Sequence, residues 1–290
     1  MPNFKHILFP VDFSEQNHGM APYVHCMARR YGARVTMLHA VEVPPLPVVG
    51  FADGAVYSAM DFQGLIDEGK QQLESFLKSE FEDIPTTRLV QEGGPAARIA
   101  EYAEKEDVDL IMMPTHGYGP FRRFLIGSVT AKVLHDVNCP VWTSAHLPDK
   151  ADPPTGYRNI LCAVDIWSNA PPLIRWASKF AAEQGAKLKL MHAITAAEIP
   201  GLPDVEGGRF RASLFDLAHE ELRKLQQEAG TNVETVLEGG EAPAAVRRAA
   251  EANPCDLIII GRGVIHEFLG RMRTNVYSII REAPCPVISV

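Results

Sequence analysis

At 290 residues, 46% of them hydrophobic, the chain has room for two average domains and enough apolar material to bury a core in each. A formal net charge of -8 and the lack of a Lys/Arg-rich block exclude nucleic-acid binding through phosphate contacts, which needs a basic face. Five cysteines without a Cys-x-x-Cys spacing indicate neither a disulfide framework nor a zinc finger. With no apolar leader at the N-terminus and no run of 18 apolar residues, the expectation is a soluble, cytoplasmic protein with no membrane partner.

In chain order, Ile7-Leu-Phe-Pro-Val11 is an apolar run suited to a strand buried on both faces. Ser14 offers an N-cap for a helix with Met20, Val24, Met27, Ala28 and Tyr31 at helical spacing, closed by Gly32. Pro22 inside that pattern predicts a late start or a kink. Val35–Val41 is the second strand, and Pro44 to Tyr57 is too long and Pro/Gly-rich for a plain turn, which makes it a candidate lid. A helix from about Met60 to Glu80 follows, with Leu65, Ile66, Leu73, Phe76 and Leu77 on its buried side. Thr87–Gln91 is a third strand, Gly94-Pro95 opens a third helix, and Leu110–Met113 is a fourth strand. A Gly-containing loop then leads to a helical pattern at Gly127-Ser128, which ends before the strand at Cys139-Pro-Val141. This βα alternation predicts a parallel, doubly wound sheet whose ligands lie outside the carboxyl ends of the strands, at the switch point of strand order.

The pattern then repeats. His6-Ile-Leu-Phe-Pro-Val-Asp12 matches Asn159-Ile-Leu-Cys-Ala-Val-Asp165, Met37-Leu-His39 matches Leu190-Met-His192, and Cys139-Pro-Val matches Cys285-Pro-Val. A period of this length means duplication of a whole domain. The halves are expected at residues 1–147 and 157–290, joined by a Pro-rich linker.

The segment from Met113 to Val141 carries the chemistry. Strand, loop and helix N-terminus present backbone donors and a favourable dipole to an anion. Gly117, nine residues, then Gly127-Ser128 resembles the Gly-x2-Gly-x9-Gly-[Ser/Thr] motif of the ATP-binding universal stress proteins, with Pro114 at the first glycine position. Proline there removes an N–H and with it a backbone donor to the ligand.

The resemblance implies two tandem Rossmann-like α/β domains, each a mostly parallel five-stranded sheet with helices on both faces, packed as a pseudo-dimer through antiparallel final strands. It also implies an adenine nucleotide, ATP, held by Pro10, Val11 and Asp12 at the first strand end, Ala40 and Val41 at the second, and Met113, Pro114, Thr115, Gly117, Gly127, Ser128, Val129 and Thr130 around the loop. From the residues alone, Asp12 reads as a turn carboxylate or helix cap and Gly127-Ser128 as an ordinary helix cap, and it is the rest of the motif that reverses this ranking. His116 reads as a loop-stabilising residue, and Arg122 and Arg123 as a solvated face. No histidine pattern marks a protein metal site, so Mg²⁺ or Mn²⁺ would come only with the nucleotide.

The second half keeps Asp165 but aligns Gly261 with Pro114, Val264 with Gly117, Arg273 with Gly127 and Thr274 with Ser128, over a loop one residue shorter. That is a poor phosphate cradle, in which Thr274 serves as a helix cap and Arg262, Arg271 and Arg273 bring positive charge near the crevice. Neither a Walker P-loop nor Gly-x-Gly-x-x-Gly after the first strand is present, and no nucleophile pattern or general base is evident. Three readings stay open: an adenine-nucleotide-binding stress-response protein, a slow ATPase or phosphotransferase acting on its own Ser128 or Thr130, and a ligand-free scaffold for a protein partner. A homodimer is compatible with each.

Overall fold

The structure, a computed structural model, describes residues 3–42, 62–116, 126–145, 155–195, 204–262 and 271–290. The first half runs β1 (His6–Pro10), α1 (Glu15–Tyr31), β2 (Arg34–Val41), α2 (Phe62–Ser75), β3 (Thr86–Glu92), α3 (Pro95–Lys105), β4 (Leu110–Pro114), α4 (Ser128–Asp136) and β5 (Val141–Ser144). The second half repeats it as β6 (Asn159–Ala163), α5 (Pro171–Gln184), β7 (Lys187–Ile194), α6 (Asp204–Ala229), β8 (Glu234–Gly239), α7 (Ala242–Ala252), β9 (Leu257–Ile260), α8 (Arg271–Glu282) and β10 (Val287–Ser289). The candidate lid lies outside the described residues.

All ten strands form one sheet in the order β3-β2-β1-β4-β5-β10-β9-β6-β7-β8. Among the described residues pairing is parallel within each half and antiparallel where β5 meets β10, with Ile288 opposite Trp142. Two edge strands that would otherwise stand open thus cover each other, as the expected pseudo-dimer requires. Successive strand residues point to opposite faces, so Ile7 and Phe9 join a core beneath α1, α5 and α6, whereas Leu8 joins the core beneath α3, α4, α7 and α8. Both cores contain residues of both halves and run unbroken across the boundary.

The local signals explain most element ends. Gly32 takes the left-handed conformation (φ 61°) and lets the Ala33 amide reach Ala28 O at 2.8 Å, and Gly185 repeats this cap with Ala186 on Ala181 O. The sequence expectation fails at three places. First, of the late start or kink expected from Pro22, the late start does not occur: α1 begins at Glu15 and includes Pro22. Pro22 is partly exposed, so the His18 carbonyl that loses its helical donor is on the side open to water.

Second, α2 stops at Ser75, and Leu77 turns the chain with φ 48° before a short 3-10 turn at Ser79–Phe81. Third, Leu65 is 43% exposed, because the inward stripe of α2 is Ile66, Gly69 and Leu73, continued by Phe76 just past its end. Gly69 rests against the His39 ring, which a Cβ would approach to 3.2 Å.

Candidate functional site

The order of strands reverses between β1 and β4, so the crevice expected for a ligand opens at the carboxyl ends of these two strands. Asp12 stands there, two residues past β1, and is exposed. Its Oδ1 accepts from the Ser14 amide at 3.0 Å, the turn that places Ser14 at the N-cap position of α1. Asp165 forms the same turn with the Trp167 amide at 3.0 Å. Pro10 and Val11 are buried at the strand end, and Val11 O accepts from His39 Nδ1 at 2.8 Å.

Asn17 fixes this corner, and no motif in the sequence marks it. It is 1% exposed, donates through Nδ2 to Pro10 O at 3.1 Å and accepts at Oδ1 from the Asp12 amide at 2.9 Å. Its signal was present: Asn17 shares the buried face of α1 with Met20, Ala21 and Val24, and a polar residue on an apolar stripe needs a partner.

Asn17 also changes the reading of Pro114. Ile111 and Thr115 donate toward β5, to Pro140 O and Ser144 O, so strand alternation turns residue 114 toward β1. The acceptor facing it there is Pro10 O, which Asn17 satisfies instead. The N–H lost at Pro114 is therefore a ladder donor, not a ligand donor. In the second half Gly261 aligns with Pro114 and Ala170 with Asn17, so proline and asparagine go together within one chain.

Beyond Met113 and Pro114, the described chain continues through Thr115 and His116, both buried. With Thr115 Oγ1 donating to Ser144 O at 3.2 Å, the His116 Nδ1–H donates to Thr115 Oγ1 at 2.9 Å, a loop-holding role as expected. The loop returns at Gly127, whose amide donates to Thr115 O at 2.7 Å. Gly127 is the N-cap of α4 and Ser128 is its first helical residue, so the cap lies one residue earlier than a Ser128 cap would. The Gly127 amide is spoken for, which leaves the Ser128, Val129 and Thr130 amides as the donors of the helix start that have no intrahelical acceptor. Thr130 is 3% exposed and its hydroxyl donates to Pro114 O at 3.0 Å, tying the helix start to the strand end. Gly117, Arg122 and Arg123 lie outside the described residues.

Ala40 and Val41 differ in direction. Leu38 O accepts from the Val11 amide, so Ala40, two residues on, turns its backbone to the same side, past the end of β1. Val41 turns the other way, and its carbonyl accepts from the Gly93 amide at 2.9 Å. Two further hydroxyls, Ser14 Oγ and Ser144 Oγ, are buried at the ends of this crevice without a partner among the described residues.

The second half departs from expectation at Arg262; the side chains of Arg271 and Arg273 lie outside what the structure describes. The Arg262 guanidinium crosses to the first half and donates to Leu134 O, Val137 O, Asn138 O and Cys139 O, at 3.3, 2.9, 3.3 and 2.6 Å. It caps the C-terminus of α4, where the helix dipole favours a cation, so the guanidinium is engaged with backbone carbonyls of the first half. Tyr277 adds an O–H bond to Ala131 O at 3.0 Å. Helix α8 begins at Arg271, so Thr274 is its fourth residue and not its cap; Val264 lies outside the described residues. Among the described residues no group of three His, Cys, Asp or Glu side chains could hold a metal ion, and no helix is long and apolar enough to cross a membrane.

Fold and strand ends together define a tandem α/β protein of two Rossmann-like halves sharing one sheet. The chain belongs to the universal stress protein family, whose family model matches residues 3–144 and again 156–290. A universal stress protein of Methanocaldococcus jannaschii, MJ0531, is 34% identical over 142 residues, covering 48% of this chain and 80% of that protein. A second from the same organism, MJ0577, is 30% identical over 152 residues, covering 48% and 93%. Over the whole chain, the crystal structure of a universal stress protein from Archaeoglobus fulgidus superposes with a TM-score of 0.68 at 20% identity, covering 100% of this chain and 97% of that one. That likeness is one of fold.

Proposed function

We propose that this chain is a cytoplasmic stress-response or signalling protein that binds one adenine nucleotide, ATP, in its first half, residues 1–147. The observation that carries the reading is the meeting of three things at the sheet's switch point: exposed Asp12, the outward backbone of Ala40, and the start of α4 tied to β4 through Gly127 on Thr115 O and Thr130 on Pro114 O. The phosphates would take the amides of Ser128, Val129 and Thr130, the ribose hydroxyls would donate to Asp12, and the base would pair with Ala40. Mg²⁺ or Mn²⁺ would arrive on the phosphates.

The Thr130 hydroxyl is buried and engaged, so it is not offered to a γ-phosphate as an acceptor, while Ser128 at the exposed start of α4 is the residue on which a gain in protein mass would be sought. This favours a binder over a self-phosphorylating enzyme. The second half, residues 157–290, would serve as a structural partner whose Arg262 steadies α4. Incubating the purified protein with ATP while following phosphate release and protein mass tests the reading. Bound ATP with neither phosphate release nor a gain in protein mass is expected, and rapid turnover or an absence of binding would defeat it.

A further inference from the structure

Five free cysteines are spread over the chain, and two of them meet. Cys255 and Cys285 approach to 3.7 Å between sulfur atoms although 30 residues separate them in sequence. They enter the neighbouring parallel strands β9 and β10 at their amino ends. The register of Val287 opposite Ile258, carried back two residues, sets Cys285 opposite Asp256, one residue from Cys255. Entry points of paired strands have Cα separations of the order a disulfide needs, about 5 Å, so bonding requires side-chain rotation and little backbone movement. Both residues are partly exposed, which gives a small oxidant access.

The first half supplies an internal comparison. Cys139 aligns with Cys285, but Val108 stands where Cys255 does, so the pair exists only in the second half. We propose that Cys255 and Cys285 are a reversible redox site that forms an intramolecular disulfide on reaction with a peroxide.

The Cys255 thiolate attacks one oxygen of hydrogen peroxide, breaking the O–O bond and leaving Cys255 as a sulfenic acid; the other oxygen takes a proton and departs as water. The Cys285 sulfur then attacks the Cys255 sulfur, the S–S bond forms, and the sulfenic hydroxyl leaves as a second water with the Cys285 proton. Two electrons pass from the two sulfurs to the peroxide. With Cys255 as the thiolate, the contact between the two sulfurs has Cys285 donating, and it holds Cys255 below the ordinary thiol range and Cys285 above it, which fits these roles. Burial pushes Cys139 up to about 11 and Cys162 up to about 12, and raises Cys26, so the other thiols stay protonated.

The closed loop would contain both Arg262 and Tyr277, the residues that reach α4. Oxidation would therefore brace the contact between the halves.

The test treats the full chain with hydrogen peroxide, denatures it, alkylates free thiols with N-ethylmaleimide and maps peptides by mass spectrometry. Two of the five cysteines should escape alkylation in a cross-linked Cys255–Cys285 peptide, with dithiothreitol restoring both. The oxidised protein should melt about 5–10 °C higher. In Cys285→Ser, dimedone should trap a sulfenic acid on Cys255. Five alkylated cysteines after peroxide, a cross-link between any other pair, or a dimedone adduct missing from Cys255 would overturn the proposal.

Discussion

Asn17 Nδ2 donates to the carbonyl oxygen of Pro10 at 3.1 Å, in the position where a residue 114 amide would complete the ladder between β1 and β4. The same side chain accepts the Asp12 amide, so one buried amide group finishes the strand and aims the residue after it. Asn17→Ala should cost about 2 kcal/mol by leaving the buried Pro10 carbonyl and the part-buried Asp12 amide without partners, and should weaken ATP at least tenfold by releasing Asp12. Urea denaturation and calorimetry check the two effects. An unchanged midpoint would remove Asn17 from this role.

Gly127 packs tightly at the mouth of α4. A Cβ added there would meet Thr115 O at 3.3 Å and His116 Cα at 3.5 Å, both backbone atoms. Gly127→Ala should therefore lower stability by about 1 kcal/mol, and Gly127→Arg, which copies the second half, should also abolish ATP heat in calorimetry. A wild-type affinity in Gly127→Arg would move the ligand elsewhere.

Arg262 joins the halves through four charge-assisted bonds to the end of α4. Arg262→Ala leaves those carbonyls without their donor and should cost about 3 kcal/mol. Arg262→Lys should recover less than half of this, since an ammonium cannot span four acceptors as a planar fork does. Equilibrium denaturation of both variants decides; a loss under 0.5 kcal/mol, roughly that of an ordinary surface substitution, would show the contact to be idle.

His192 is buried, donates Nδ1–H to Val164 O at 2.9 Å, and burial lowers its pKa from the ordinary 6.5; His6 is lowered by burial too. A histidine depressed in the folded state takes up protons more readily when unfolded. Its contribution is thus complete above about pH 6.5 and lost as pH falls toward the folded value. Denaturation midpoints should fall on going from pH 7.5 to pH 5.5, with a shallower fall in His192→Gln. A midpoint that rises with acid would contradict the sign.

Much of the fold was legible because its signals are local or repeated. Apolar runs such as Ile7–Val11, the glycine end at Gly32 and the duplicated Cys-Pro-Val termini lead to the strands and the repeat, and the family resemblance supplied their antiparallel seam. What stayed hidden depends on contacts far apart in sequence. Arg262 reads as a loop cation until β10 pairing brings α4 within its reach, and Cys255 finds Cys285 only across a strand ladder. Thr274 looked like a cap because an alignment by residue count cannot see that α8 starts at Arg271. Asn17 was legible in principle, as a polar residue on an apolar stripe, but its partners are backbone atoms that sequence does not display.

The central claim is one nucleotide per chain, in the first half. Native mass spectrometry of the intact protein with ATP and Mg²⁺ measures it directly, using wild type, Asp12→Ala and Asp165→Ala, since the two aspartates occupy equivalent turns and only Asp12 shares its half with Gly127-Ser128. The account predicts a single bound ATP, weakened by Asp12→Ala and unaffected by Asp165→Ala. Two equal sites, or sensitivity to Asp165→Ala alone, would contradict it.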